Sequence, residues 1–308
     1  MPSGNAQQPL LGGIEGGGTK FVAAVARKGG PLLERVRIAT RRPEETLPEV
    51  AAFFAAAQAR HGSLAAMGIG SFGPLELDRD APGGGGIAAT PKPGWAGLRY
   101  SDWLDLGHLP VMLDTDVVAA ALAEFAGPAG TGCGTLAYTT VGTGIGTGVI
   151  RGGVPLGGFA PLEAGHTLIP REPGDAFAGS CRVHGACAEG MASGTAIRER
   201  FGKPLDELDD PAAAITLIAG YLGSYAANLI FTHAPDRLVF GGGVMKTPGL
   251  IEAVRSETER RLAGYVSGGP LDPGLKAYLV APAMGDDAGV SGAIELAAMA
   301  LARTEMSA

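Results

Sequence analysis

The chain has 308 residues, of which 46% are hydrophobic and 18% are charged, and 51 of them are glycine. This length and composition predict about two globular domains and exclude a chain that is disordered throughout. The net charge of −7 excludes a general nucleic-acid binder, which needs a basic surface, but allows a nucleotide held by backbone amides and Mg²⁺.

Three cysteines in a chain of this length are too few, and odd in number, for the disulfide framework of a secreted protein. Residues 1–8 are polar and lack the basic start and apolar core of a secretory signal. The apolar runs fall short of the ~18 residues that a membrane span needs. We therefore expect a cytoplasmic protein with neither a membrane nor a nucleic acid as partner.

In the first half of the chain, short apolar strands alternate with helices. Strands are predicted at residues 10–15, 20–27, 32–39, 65–71 and 111–114. Helices are predicted at residues 43–60 and 117–126. A tight glycine turn at residues 16–19 joins the first two strands.

The second half of the chain repeats this pattern of strand, Gly/Thr turn and strand. Strands are predicted at residues 134–141, 145–151, 237–240 and 276–280, and helices at residues 188–200, 211–232, 247–263 and 285–303. Gly17 and Gly144 occupy matching turns, which indicates an internal repeat, although chance similarity of two glycine hairpins is an alternative. The alternation predicts an α/β protein of two lobes with a ligand cleft between them.

The two glycine turns have the composition of phosphate-binding loops. Glycine lets phosphate oxygens reach backbone N–H groups, and threonine adds a hydroxyl donor without adding charge. Neither loop has the spacing of a Walker loop or of a dinucleotide fingerprint, and an ordinary hairpin turn is the alternative for each. A third glycine cluster follows the apolar strand at 237–240, where a flat adenine ring or a tight turn would fit.

These patterns predict an ATP site with Mg²⁺, in which Glu15 holds the ion directly or through water. The predicted ATP contacts are Glu15, Gly17, Gly18, Thr19, Lys20, Thr143, Gly144, Gly241, Gly242 and Gly243.

The run Asp114-Thr115-Asp116 follows an apolar strand and begins a helix. One of the two aspartates is expected to cap the helix, and the other to point into the cleft. Phosphoryl transfer to a hydroxyl group needs a carboxylate that accepts the proton, so Asp116 is the candidate general base. A plain capping role is the alternative.

His166, Cys181, His184 and Cys187 lie within one short segment that is rich in proline and glycine. Two thiolates and two imidazoles are a donor set for tetrahedral Zn²⁺. The segment has few apolar side chains to pack, so a metal ion would fix its conformation. Four protein ligands predict a structural ion. Free thiols with surface histidines are the alternative.

Taken together, these motifs resemble the ROK family of sugar kinases, and within it the bacterial fructokinases. The resemblance runs from Gly13 to about Leu301, and its most specific element is the Glu-x-Gly-His at 163–166 ahead of a cysteine cluster. The other shared segments are 13–20, 70–74, 90–95, 114–116, 141–146, 181–189 and 241–243.

The resemblance implies a two-lobed, actin/hexokinase-like (ribonuclease H-like) fold with a βββαβα core in each lobe. The lobes are expected at residues 10–115 and 116–285, with the zinc loop at 166–187, and the helix at 286–303 is expected to pack back on the first lobe. A homodimer is expected, since an apolar helix such as 211–232 could bury a subunit interface.

The resemblance also implies the reaction, which is ATP-dependent phosphorylation of D-fructose to fructose 6-phosphate with Asp116 as general base. It implies sugar contacts at Gly73, Pro74, Lys92, Trp95, Thr115, Glu163, His166 and Glu189, with His166 also a zinc ligand.

Glu15 and Thr115 match the fructokinase variant of the family, but Val118 stands where much of the family has asparagine. The exact hexose therefore stays open. Kinases that act on glucose, mannose or an N-acylhexosamine are alternatives, and a non-catalytic sugar sensor is a third hypothesis.

Overall fold

The computed structural model describes residues 8–78, 84–90, 92–107, 109–272 and 274–307. The chain divides into two compact units. The first unit comprises Met1–Ala123, Gly157–Pro161 and Asp286–Ala308, and the second comprises Glu124–Leu156 and Leu162–Gly285. Pro91, which belongs to the shared segment 90–95, lies outside the described residues.

Strands and helices alternate along the described part of the chain. The strands are β1 (Leu10–Gly16), β2 (Lys20–Arg27), β3 (Leu32–Ala39), β4 (Leu64–Ser71), β5 (Leu75–Leu77), β6 (Gly85–Ile87), β7 (Val111–Thr115), β8 (Thr135–Val141), β9 (Ile145–Arg151), β10 (Val154–Pro155), β11 (Arg237–Gly241) and β12 (Leu279–Val280). The helices are α1 (Pro43–His61), α2 (Asp116–Ala126), α3 (Ala188–Ala192), α4 (Gly194–Phe201), α5 (Ala212–His233), α6 (Leu250–Leu262) and α7 (Ala288–Ser307).

The sheet of the first unit has the strand order β3-β2-β1-β4-β7. β1 pairs antiparallel with β2 and parallel with β4, and β4 pairs parallel with β7. Gly16 pairs with Ser71, and Ser71 pairs with Thr115, so β1, β4 and β7 all end at one edge of the sheet. The first glycine loop and the start of α2 therefore lie at the same edge, where ligands of parallel sheets bind.

Helix α7 packs directly on the sheet of the first unit. A Cβ atom on Gly68 of β4 would lie only 1.9 Å from the carbonyl oxygen of Ala293 in α7. Glycine at this position therefore lets the helix backbone approach the strand to a distance that no side chain permits. The apolar face of α7 supplies buried residues to the core, among them Val290 and Leu296.

The sheet of the second unit has the order β10-β9-β8-β11-β12. β8 pairs antiparallel with β9 and parallel with β11, which reproduces the pairing of β1 with β2 and β4 in the first unit. The internal repeat predicted from the two glycine turns is thereby confirmed, because both units share one strand order.

Helix α5 is the centre of the core of the second unit, and most of its residues are buried. Among the described helices it is long and apolar enough to cross a membrane by length and composition. However, 72% of its most apolar stretch is buried inside the structure, which is typical of a core helix.

Two predicted elements differ most from the structure. The helix predicted at 188–200 is two helices, because Ser193 has extended backbone (φ −69°, ψ 165°) and its hydroxyl caps α4 by accepting from the amide of Ala196. The strand predicted at 276–280 is confined to Leu279–Val280. The preceding residues form a turn, in which the amide of Leu279 donates to the carbonyl of Leu275.

We predict that Gly68→Ala destabilises the first unit, because the new methyl group must displace the backbone of α7. The free energy of unfolding should fall by about 3 kcal/mol, as for an overpacked core. Urea unfolding followed by circular dichroism measures the loss. Gly158→Ala is the matched control, since a Cβ at that exposed position meets nothing within 4 Å. Equal stability of the two variants would contradict the close packing.

Candidate active site

The first glycine loop, residues 17–19, is fixed at its base and open at its tip. The amide of Gly17 donates to the carbonyl of Lys20 (2.9 Å), and the hydroxyl of Thr40 donates to the carbonyl of Gly17 (2.8 Å). Gly18 and Thr19 are exposed, and a Cβ on Gly18 would meet nothing within 4 Å. The loop can therefore present bare backbone to a ligand.

Lys92 reaches this first loop from a distant part of the chain. Its ammonium group donates a hydrogen bond to the carbonyl of Gly18 and lies 5.7 Å from the centroid of the Phe72 ring. The sequence predicts Lys92 as a sugar contact. The structure brings its positive charge to the predicted phosphate loop.

Glu15 at the end of β1 is a largely buried carboxylate. Its Oε1 lies 3.9 Å from the ammonium of Lys20, and its Oε2 is buried without a hydrogen-bond partner among the described residues. Burial raises the pKa of the Glu15 carboxyl above its ordinary value; Lys20 opposes this rise and Asp116 adds to it. An orphaned carboxylate oxygen beside an open loop fits a site for Mg²⁺, which prefers oxygen ligands.

Asp116 is the first residue of α2, at the edge of the sheet where the first loop lies. The helix is capped by Thr115, whose hydroxyl accepts from the amide of Val118 (3.1 Å), so the expected aspartate cap is wrong. Asp114 is buried and accepts from the amide of Thr115 (2.8 Å). Asp116 is half-buried and accepts from the amide of Val117 (2.8 Å). Its carboxylate is thus oriented by its own helix rather than used as the cap.

Of the other sugar contacts predicted in the first unit, Gly73 and Pro74 are exposed after β4. Trp95 is fully buried. Its ring stacks on Phe21 at 5.2 Å between centroids, and its N–H donates to the carbonyl of Arg41 (2.9 Å). In this structure Trp95 supports the segment from inside the core, and its side chain offers no surface to a ligand.

The second glycine loop, residues 142–144 between β8 and β9, rests on α4. The amide of Gly194 donates to the carbonyl of Gly142 (2.7 Å), and the hydroxyl of Thr195 donates to the carbonyl of Thr143 (2.8 Å). Neither Gly194 nor Thr195 belongs to a motif recognised in the sequence. Because they come from a separate helix, the spacing along the chain gave no signal of this contact.

Glu189 lies against the same loop. Its Oε2 accepts a hydrogen bond from the amide of Ile145 (3.0 Å). A Cβ on Gly144 would lie 2.4 Å from this oxygen. The sequence predicts Glu189 as a sugar contact, and the structure adds a contact with the second glycine loop.

A pocket of about 280 Å³ opens beside the second loop. It is lined by Gly142, Thr143, Gly194, Ile197, Arg198, Pro204, Leu205, Asp206, Gly243, Val244 and Thr247. Its volume is near the lower end of the range for small-molecule sites. Several elements that are far apart in sequence form its walls, so residues such as Arg198 and Asp206 were not predictable from motifs.

Only one of the three glycines at 241–243 lines this pocket. Gly243 does so, and a Cβ there would meet nothing within 4 Å. Gly241 is packed against Pro282 and Tyr138. Gly242 has φ +91° and lies against the backbone of Val141, so it serves the turn. The three glycines predicted to contact adenine therefore have different roles: Gly241 is packed in the core, Gly242 forms a turn, and Gly243 lines the pocket.

The four predicted metal ligands come together. One donor atom from each of His166, Cys181, His184 and Cys187 lies within 4.8 Å of the others. The Nδ1 of His166 is 3.7 Å from the sulfur of Cys181 and 3.6 Å from that of Cys187. Sulfur and nitrogen ligands of a tetrahedral zinc ion lie about 3.6 Å apart. The donor set and its spacing therefore fit such an ion.

Glu163 precedes the turn Ala164–His166, which packs on the second unit's sheet. A Cβ on Gly165 would lie 1.9 Å from the carbonyl oxygen of Ile145, so the turn lies directly against the start of β9. Burial raises the pKa of the Glu163 carboxyl, which His166 opposes and Glu189 increases. The charges of His166 and Glu189 thus both act on the Glu163 carboxyl.

We predict that burial of Glu15 makes the protein less stable as pH rises. A carboxyl whose pKa is raised on folding stabilises the folded state below its unfolded value of 4.5 and loses that contribution as pH rises through its folded pKa. The stability advantage of Glu15→Gln over wild type should therefore grow as pH rises from 4.5. Urea unfolding without added Mg²⁺ or nucleotide measures the difference, with the exposed Glu76→Gln as control. A pH-independent difference would contradict the prediction.

Comparison with known proteins agrees with this geometry. The pattern of the ROK family matches residues 11–300. A fructokinase of Zymomonas mobilis is 43% identical over 294 residues, 94% of this chain and 96% of that protein. A ROK hexokinase from Thermus thermophilus has a TM-score of 0.78 at 29% identity, covering 96% of this chain and 99% of that structure.

A ROK family glucokinase from Streptomyces griseus, solved with glucose and AMPPNP, has a TM-score of 0.67 at 25% identity and covers 94% of this chain and 99% of that structure. These likenesses, with the shared strand order of the two units, confirm the predicted actin/hexokinase-like fold class. The family match over nearly the whole chain and the 43% identity to a relative of the same length decide the family. The chain belongs to the ROK family.

Proposed function

We propose that this protein is a kinase that transfers the γ-phosphoryl group of ATP to D-fructose and forms fructose 6-phosphate. The observation that carries the proposal is the identity to a fructokinase over almost the full length of both chains. The pocket, the two glycine loops and Asp116 supply the groups that such a reaction requires.

The nucleotide is assigned to the pocket beside the second loop. Gly142 and Thr143 form one wall and Gly243 another, so bare backbone faces the space that an adenosine phosphate would fill. Arg198, also in the wall, adds a positive charge for phosphate. Bound Mg²⁺ would neutralise phosphate charge during the transfer, and Glu15 is the residue assigned to hold it.

Asp116 is assigned as the general base. The 6-hydroxyl oxygen of the sugar attacks the γ-phosphorus, its proton passes to the Asp116 carboxylate, and the bond from phosphorus to the leaving ADP oxygen breaks. The half-buried position of Asp116 at the edge of the sheet and the bond from the Val117 amide support this role, because both restrict the carboxylate to one orientation.

The sugar is assigned to residues of the shared segments 70–74 and 163–166. Gly73 and Pro74 are exposed at the end of β4, and Glu163 and His166 belong to one turn. Lys92 is kept as a substrate contact, but its position on Gly18 favours the phosphoryl group over the sugar ring.

The Cys/His cluster is assigned to Zn²⁺, which would serve as a structural ion because all four ligands come from the protein. Its ligands hold the 166–187 segment, and His166 lies in the same turn as the sugar contact Glu163. The amides of His184 and Gly190 donate hydrogen bonds to the sulfurs of Cys181 and Cys187 (both 3.4 Å), as outer hydrogen bonds that orient metal ligands do.

We expect Asp116→Asn to lower kcat by about 10³-fold while binding of sugar and nucleotide persists, because the amide cannot accept the proton. Coupled measurement of ADP release gives kcat, and calorimetry gives both affinities. Asp105→Asn, an exposed aspartate of the same unit, is the control and should retain wild-type turnover. Full activity of Asp116→Asn would eliminate the mechanism.

The same ADP-release measurement identifies the sugar. Fructose should give the highest kcat/KM in a panel with glucose, mannose and an N-acylhexosamine. A higher value for glucose would favour the glucokinase alternative. The similarity of this chain to the Streptomyces griseus glucokinase supports that alternative. Binding of a hexose without ADP release would favour a sugar sensor.

We expect purified protein to contain about one zinc ion per chain, and Cys181→Ser to lower both the zinc content and the affinity for sugar, because it removes one of four ligands. Elemental analysis and calorimetry measure the two effects. Cys133→Ser is the matched control, since this thiol lies outside the cluster. Normal sugar binding by zinc-free protein would refute the coupling.

The homodimer and the cytoplasmic location expected from the sequence stay predictions. Helix α5, named above as a dimer surface, is mostly buried within its own unit. Phe231 and Tyr265 form an exposed aromatic pair in the same unit, with their ring centroids 6.5 Å apart. A second copy of the chain could cover this pair.

A further inference from the structure

Three residues of the segment that contains α3 and α4 form hydrogen bonds with the second glycine loop and the residue that follows it. Glu189 of α3 binds the amide of Ile145, and Gly194 and Thr195 of α4 bind the carbonyls of Gly142 and Thr143. The two α4 contacts hold one side of the loop. Glu189 holds the other side, and among these three residues it is the one with a charged side chain.

Contact between Glu189 and the loop is also steric. A Cβ on Gly144 would meet only atoms of the Glu189 side chain, the nearest being Oε2 at 2.4 Å. The carboxylate therefore occupies the space next to Gly144. The loop cannot move toward α3 unless this side chain moves first, so Glu189 fixes the loop by packing as well as by a hydrogen bond.

The position of Glu189 is set by the Cys/His cluster. Cys187, one of the four clustered residues, is the N-cap of α3, and its sulfur accepts from the amide of Gly190 (3.4 Å). The next residue, Ala188, donates its amide to the carbonyl of Thr167 (3.0 Å). Cys187 is fully buried and lies two positions before Glu189 on a helix of five residues. A shift of the sulfur would therefore shift the carboxylate.

We propose that Glu189 is a positioning residue through which the metal cluster holds the nucleotide loop in its binding conformation. The proposal rests on the proposed function, because it assumes that the second loop binds ATP. It differs from a role of the metal in sugar binding alone. Metal and nucleotide affinity are linked even when no sugar is present, since the link runs through Glu189 and the loop only.

The first test measures binding of AMP-PNP by calorimetry, without sugar, to the intact metal-containing protein. Glu189→Ala should weaken binding about tenfold, because the loop loses a hydrogen bond to a charged acceptor. Glu189→Gln should stay within about threefold of wild type, since its amide oxygen still accepts from Ile145. Glu199→Gln, an exposed residue of α4 with the same change of charge, is the control and should bind as wild type does.

The second test removes the metal. Dialysis against a chelator should weaken AMP-PNP binding to wild type by a factor similar to that of Glu189→Ala, and should change the affinity of Glu189→Ala little further. Hydrogen exchange of the Ile145 amide should accelerate in metal-depleted wild type, because its acceptor moves away. This second readout is independent of catalysis and of nucleotide.

Gly144→Ala reaches the same contact from the loop, and its effect in wild type can be measured even if Glu189→Ala does not fold. Its methyl group should displace the carboxylate and weaken AMP-PNP binding in wild type. In a Glu189→Ala background, where the displaced oxygen is absent, the added effect should disappear. An equal effect in both backgrounds would show that Gly144 acts without Glu189, which would overturn the proposal.

The remaining outcomes separate the two proposals. If wild type binds AMP-PNP and Glu189→Ala binds it equally well, the positioning role fails and the kinase function stands. The same holds if the chelator weakens wild type and Glu189→Ala by equal factors. If wild type does not bind AMP-PNP at all, the proposed function fails, and this inference fails with it.

Discussion

The carboxyl ends of β1, β4 and β7 meet at one edge of the first unit's sheet, and the chemistry proposed for that unit depends on this constraint. Because Gly16, Ser71 and Thr115 are neighbours in register, the residues that follow them are brought together although they are far apart in sequence. A turn of bare backbone, a buried carboxylate and the first residue of a helix thus share one small region.

In the second unit the same strand order produces a different arrangement. Its glycine loop is supported from below by α3 and α4, and these two short helices continue directly from the Cys/His segment. A loop with few apolar side chains cannot fix its own conformation, so the surrounding hydrogen bonds have to fix it. The order of the pocket beside the loop therefore depends on the hydrogen bonds from α3 and α4.

Much of the fold was predictable because its signals are local. Glycine turns between apolar strands predicted the hairpins β1–β2 and β8–β9 and the internal repeat, since hairpins depend on residues adjacent in sequence. Sequence patterns failed where long-range contacts decide. The helix predicted at 188–200 is interrupted at Ser193, whose neighbour Gly194 bonds to the glycine loop.

The sequence by itself determined the family, the four clustered Cys and His residues and the two glycine loops, because short spacings encode these features. Only the tertiary structure decided that Thr115 rather than an aspartate caps α2, that Trp95 lies in the core and that Glu189 holds the second loop. Such contacts join residues from separate elements. The free energy of each depends on what packs beside it, which spacing along the chain does not encode.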